Sequence, residues 1–163
     1  MKTNKLMFGA ALMVTAALLA GATNPTLTPL EDKVRHEIAM LPYYTIFDQI
    51  TFRVDGGVVT LFGDVRNPVL KDQAGNVVKK IEGVDRVANQ IEVLPLSDFD
   101  QRIRMQTARA IYGFPTLQHY GVGTLHAIHI IVKDGNVTLT GFVSNDTDKE
   151  MAFINSKYNS SII

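Results

Sequence analysis

One stretch of the chain occurs twice. Val54-Asp55-Gly56-Gly57-Val58-Val59-Thr60-Leu61-Phe62-Gly63-Asp64-Val65 aligns without gaps on Val132-Lys133-Asp134-Gly135-Asn136-Val137-Thr138-Leu139-Thr140-Gly141-Phe142-Val143, and seven of the twelve positions are identical. An internal repeat means one supersecondary unit used more than once, so each copy has to be read as a version of the other. In both copies the pattern is that of a β-hairpin. Thr51 to Val54 and Val58 to Leu61 are β-branched and aromatic runs around Asp55-Gly56-Gly57, and Ile128 to Val132 and Val137 to Thr140 flank Lys133-Asp134-Gly135-Asn136. Such turns need residues that tolerate positive φ, which makes Gly57 and Gly135 structural. Gly63 and Gly141 fall where a strand ends, where a bulge or a close backbone approach is the usual reason for glycine. No helix follows at once, so neither reads as a phosphate loop.

Helices flank the first hairpin. Leu30, Val34, Ile38 and Leu41 recur at helical spacing behind a Thr28 cap, with Pro29 in the first turn, Glu31 and Asp32 at the positive end of the dipole, and Pro42 beyond the end. Leu70, Ala74, Val77 and Ile81 trace a second helix that Gly83 stops. Arg86 to Val93 then alternates polar and apolar, the signature of a strand with one buried face. The expected fold class is therefore α+β, made of two small αββαβ modules. Each is a three-stranded mixed sheet with two helices packed on one face, spanning 28–94 and 98–163. The second copy opens with a helix from about Phe99 to Tyr112 whose inward face would be Phe99, Ile103, Thr107, Ala110 and Phe114. It continues through a glycine-containing loop, Leu117 to Leu125, that the first copy lacks. A helix from Asp146 to about Lys157 follows, with Asp146 capping and Met151, Ala152 and Ile154 turned inward. Tyr158 to Ile163 is short and unpatterned, so this copy is expected to lack a clear last strand.

The chain of 163 residues has 46% hydrophobic and 20% charged residues, a composition that folds. Sixteen basic and sixteen acidic residues cancel, so no global field draws it to nucleic acid. The absence of cysteine excludes disulfides, thiolate zinc sites and a cysteine nucleophile. At the N-terminus, Lys2 and Lys5 precede an apolar or small-residue run from Leu6 to Leu19, and Ala20-Gly21-Ala22 is acceptable to a signal peptidase. Residues 1–22 are expected to be a signal peptide that sends the protein to the periplasm. An uncleaved anchor is the alternative, disfavoured because the run is marginal for a span of ~20 residues. Thr23 stands where a lipoprotein would carry its cysteine.

The glycine-valine-threonine-leucine-x-glycine hairpin, the alanine-bearing helix, and the close Gly83-Val84-x-x-Val87-x-Asn89-x-Ile91 resemble the BON domain, named for bacterial osmotic-shock and nodulation proteins. The first copy matches through its length and the second through roughly its first three elements. Two BON domains after a signal peptide is the arrangement of the osmotically inducible periplasmic proteins. The resemblance implies a non-enzymatic role at the cell envelope, in phospholipid binding, envelope maintenance under stress or a chaperone-like function. It implies no cofactor.

A search for chemistry returns little. His126 and His129 are three apart, an odd spacing that sends them to opposite faces of an extended strand. His36 and His119 have no carboxylate placed nearby by sequence, so no metal site is assigned. There is no nucleophile elbow and no glycine-rich phosphate cradle, and Glu31-Asp32 is explained by the helix dipole. No catalytic residue is assigned. On the helix from Phe99 to Tyr112, Arg102 and Arg109 are seven apart and stacked, with Met105 and Tyr112 beside them and Arg104 more sideways. Cations next to a flexible apolar chain and an amphipathic ring suit an anionic lipid surface, at roughly 1 kcal/mol per basic residue; an ordinary solvated helix face is the alternative. The resemblance points the same way, because in some two-BON envelope proteins the first helix of the second domain contacts anionic phospholipid. The expected function is weak binding of anionic phospholipid surfaces through Arg102, Met105, Arg109 and Tyr112. The other reading is a chaperone-like or protein-interaction module whose exposed sheet edge pairs with envelope proteins, unfolded clients or a second copy.

Overall fold

The computed structural model describes residues 28–122 and 126–160, the last three of these as backbone only. The expected signal segment, residues 1–22, and the terminal residues 161–163 lie outside the described residues. Helix α1 (Pro29–Ala39) starts on a complete capping box: the Thr28 hydroxyl accepts from the Glu31 amide, and the Glu31 carboxylate accepts from the Thr28 amide. Strands β1 (Gln49–Asp55) and β2 (Val58–Val65) form the antiparallel hairpin, and α2 (Pro68–Lys79) begins on an Asn67 cap. The expected third strand is real but broken. It runs as β3 (Arg86–Asn89) and β4 (Glu92–Val93), both parallel to β2, which makes the sheet mixed. The break has a cause: the Asn89 side chain turns inward, donates to the Lys71 carbonyl and accepts from the Ile91 amide, while Ile91 plunges into the core.

The second module has α3 (Asp98–Tyr112), a 3-10 turn (Gln118–Gly121), an antiparallel hairpin of β5 (Ile128–Lys133) and β6 (Asn136–Gly141), and α4 (Asp146–Ser160). Its sheet has two strands among the described residues. Two details depart from the sequence expectation. The inward stripe of α3 is Asp100, Ile103, Arg104, Thr107 and Ile111, not the stripe through Phe99 and Ala110, which leaves Phe99 exposed. The rotation follows from Asp100: its carboxylate accepts from the Asp134 and Gly135 amides, which fixes the face of α3 toward the hairpin turn. In α4 the cap is Asn145, whose side chain accepts from the Asp148 amide, and Asp146 is the first helical residue. Ala152 and Ser156 are buried there, and Ile154 is exposed.

Gly57 departs from the expectation: its neighbour Gly56, at φ +59°, takes the left-handed position, and Gly57 is required because a Cβ there would collide with the Asp85 carboxylate. Gly63 and Gly141 have φ of +115° and +129°, and a Cβ on either would overlap a carbonyl oxygen, that of Gln49 in β1 or that of Ala127 just ahead of β5. Close backbone approach is therefore their reason. Gly135 lies with Asp134 at positive φ, as a two-residue primed turn demands.

Each module has its own apolar centre. Val34, Ile38, Val59, Leu61, Val65, Leu70, Ala74, Val78 and Ile91 fill the first, and Ile103, Ile111, Leu117, Tyr120, Ile128, Ile130 and Val132 fill the second. A fully buried aliphatic side chain of this size contributes about 1.5–3 kcal/mol. The second centre also contains Phe47, which comes from the segment that leads into β1. That segment is held by Asp48, whose buried carboxylate accepts from the Thr45 amide and hydroxyl and from the Arg66 amide. The modules thus share packing, and an exposed ion pair, Lys133 to Glu92 at 2.7 Å, spans the same junction.

Candidate functional site

The outward face of α3 is built by the buried stripe behind it. With Ile103, Thr107 and Ile111 turned to the core, helical geometry puts Arg102, Met105 and Arg109 in solvent, and all three are exposed. Phe99 joins them one turn earlier, with the Arg102 guanidinium 6.0 Å from its ring centroid. Tyr112 is placed differently from its three companions. It is half-buried, and its hydroxyl donates to the Ile128 carbonyl at 2.5 Å. Burial pushes that hydroxyl up to about 12. Tyr112 therefore braces α3 against β5. Arg104, only 3% exposed, has left the face altogether: its guanidinium donates to the Val132 carbonyl, and burial draws its pKa down. What the face offers is two cations flanked by a phenyl ring and a thioether.

A second surface feature was not read from the residues. A groove runs between β6 and α4, lined among others by Val137, Leu139, Phe142, Phe153 and Ser156. Phe142 and Phe153 are 88% and 56% exposed, large values for phenylalanine. The signal for this feature lay in extending the repeat alignment past Val143. At the same offset Asn67 falls on Asn145, Ala74 on Ala152, and Gly75 on Phe153.

His129 lies at the junction of the modules, whereas His36 sits on α1 in the first and His119 in the 3-10 turn of the second. The His129 ring stands 5.6 Å from that of Tyr44, and the Nδ1 atoms of His126 and His129 are both buried without a hydrogen-bond partner. Burial draws His129 below the ordinary imidazole value, against the opposing pull of the Asp48 and Thr45 carbonyls. Among the described residues no three metal-ligating side chains converge.

Comparison with known proteins adds three findings. The family profile for the BON domain matches residues 26–95 and 123–153, more than half of the chain. No curated protein matches. Among solved structures, two of CdsD, a structural protein of the type III secretion system of Chlamydia trachomatis, are similar. One, of its C-terminal domain, is 17% identical with a TM-score of 0.32, over 85% of this chain and 60% of that one. The other is 17% identical with a TM-score of 0.31, over 81% of this chain and 54% of that one. The chain thus spans little more than half the length of the solved structures that it matches.

Proposed function

The chain belongs to the BON domain family, and on that premise we propose that it is a non-enzymatic accessory protein of the bacterial envelope that binds anionic phospholipid surfaces weakly. The observation that carries this reading is the outward face of α3, where Arg102 and Arg109 are exposed beside Met105 and Phe99. Arginines one above the other face a membrane together, and an apolar side chain next to each adds the partial insertion that charge alone does not supply. Tyr112 supports the face from behind, because its hydroxyl is committed to Ile128. Residues 1–22, with Lys2, Lys5 and the apolar run that follows, are the address that takes the protein to the periplasm.

The test is co-sedimentation with phosphatidylglycerol vesicles. At about 1 kcal/mol for each arginine, Arg102→Ala/Arg109→Ala weakens binding by about thirtyfold, and added salt weakens the wild type toward the same level. Equal pelleting of the two proteins, or none by either, would remove the lipid reading.

A second reading, a protein-interaction module that uses a sheet edge, is favoured by one observation. Val137, Leu139 and Val143 are partly exposed, whereas Val59, Leu61 and Val65, their counterparts in the repeat, are fully buried.

A further inference from the structure

We infer that the groove between β6 and α4 receives an extended segment of another polypeptide, running parallel to β6, with a small residue opposite Phe153. The inference rests on the protein-interaction reading and adds to it which segment fits. The chain contains its own template for the occupant. In the first module the edge of β2 is covered by β3 and β4, in parallel register from Val58 opposite Arg86 to Val65 opposite Val93. Val87, Asn89 and Ile91 of that segment turn inward, and Val59, Leu61 and Val65 beneath it are sealed. In the second module the same wall, Val137, Leu139 and Val143, is open among the described residues, and the groove lies over it. What seals such a wall is therefore a parallel strand with aliphatic side chains at alternate positions.

The two slots differ at one decisive place. Gly75 of α2 lets the Asn89 side chain pass: a Cβ added at Gly75 would lie 2.9 Å from the Asn89 amide nitrogen and 4.0 Å from its Cβ. The constraint thus falls on the side chain of the occupant and spares its backbone. In α4 that place is taken by Phe153, and its ring needs the volume that the asparagine tip fills in the first module. The occupant must read aliphatic, any, small, any, aliphatic, where β3 and the break after it read Val87, Ala88, Asn89, Gln90, Ile91. Phe153 then lies over the bound strand, and Phe142, at the place of Asp64, closes its far end.

The experiment uses the whole chain and two labelled peptides of residues 84–95, one with the natural Asn89 and one carrying Asn89→Gly. Fluorescence anisotropy is expected to show the Asn89→Gly peptide binding about tenfold tighter, with the outward-facing amides of Val137, Leu139 and Gly141 newly protected from hydrogen exchange. In Phe153→Gly the preference inverts, because the asparagine regains its room and Lys149 stands where Lys71 offers it a carbonyl. Phe153→Ala, a helix-compatible second variant, narrows the preference without inverting it. Equal affinity of the wild type for both peptides would overturn the small-residue rule and leave edge pairing intact. Failure of both peptides to bind at millimolar concentration would remove both ideas. Protection of the Val137, Leu139 and Gly141 amides in the unliganded chain together with a dimeric mass by light scattering would overturn it too, since a second copy would then fill the groove.

Discussion

The backbone amide of Ile130 donates to the carbonyl of Ile46 at 2.7 Å, so the segment that leads into β1 engages the outer edge of β5 at its middle. A bare strand edge invites pairing with foreign chains. Here one of the two edges of the second hairpin is met by a hydrogen bond from within the chain, and Phe47, next in sequence to Ile46, packs in the second core.

Phe47→Ala should therefore weaken the second module rather than the first. Deleting a buried phenyl ring costs about 3 kcal/mol or more. Hydrogen exchange is expected to show faster opening of β5 and α3 while β2 and α2 keep their protection. Uniform loss across both modules would contradict the assignment of Phe47 to the second core.

Asp100 is 1% exposed and accepts from two backbone amides of the hairpin turn. Asp100→Ala strands both amides and frees α3 to rotate, at a cost of about 2–4 kcal/mol. Asp100→Asn keeps one acceptor and should cost less. Chemical denaturation of the two variants gives the order; a reversal would mean that the carboxylate does not hold the turn.

Gly56 and Gly141 make a matched pair for separating conformation from crowding. Gly56 has φ of +59° with open space around it, so Gly56→Ala should cost about 1 kcal/mol, the ordinary penalty of left-handed backbone. At Gly141 the added methyl would also overlap the Ala127 carbonyl, and Gly141→Ala should exceed about 3 kcal/mol. Thermal unfolding of the two proteins is the measurement, and similar losses would argue against a close strand approach at Gly141.

His129 makes stability depend on pH in one direction. Its folded-state pKa lies below the ordinary 6.5, chiefly through burial, which outweighs the hydrogen bond to the Asp48 carbonyl that favours the charged form, while His126 adds repulsion. Above 6.5 the imidazole is neutral in both states and full stability is present. As pH falls from 6.5 toward the lowered value, the unfolded chain takes up a proton that the folded chain refuses, and stability declines. Urea midpoints at pH about 7.5 and about 5.5 should differ in wild type, and the difference should shrink in His129→Gln. An unchanged difference would assign the slope to other groups.

The repeat made most of the fold legible. Aligned glycines located both hairpins, and the Thr28 cap and the Pro29 start located α1, because these are local rules that neighbouring residues satisfy. The break between β3 and β4 was not legible, since it depends on Asn89 finding the Lys71 carbonyl across the module. Phe99 and Arg104 misled for a related reason. Helical spacing put Phe99 inward and Arg104 sideways of the outward face, but Asp100 at the turn and the Val132 carbonyl rotate α3 the other way. Of the four residues singled out for lipid contact, Arg102, Met105 and Arg109 do share an open face, and Tyr112 is diverted by a carbonyl that lies sixteen residues away. Burial of one polar atom on another element is what single-residue patterns do not carry.

The loan of Phe47 has a meaning for how such repeats age. A duplicated unit begins as an interchangeable part that could be excised, copied or transplanted. Once the later half takes a ring from a stretch ahead of the earlier hairpin, a clean scission at Pro95 leaves an unfilled hole in its interior, and the halves cease to be separable cargo.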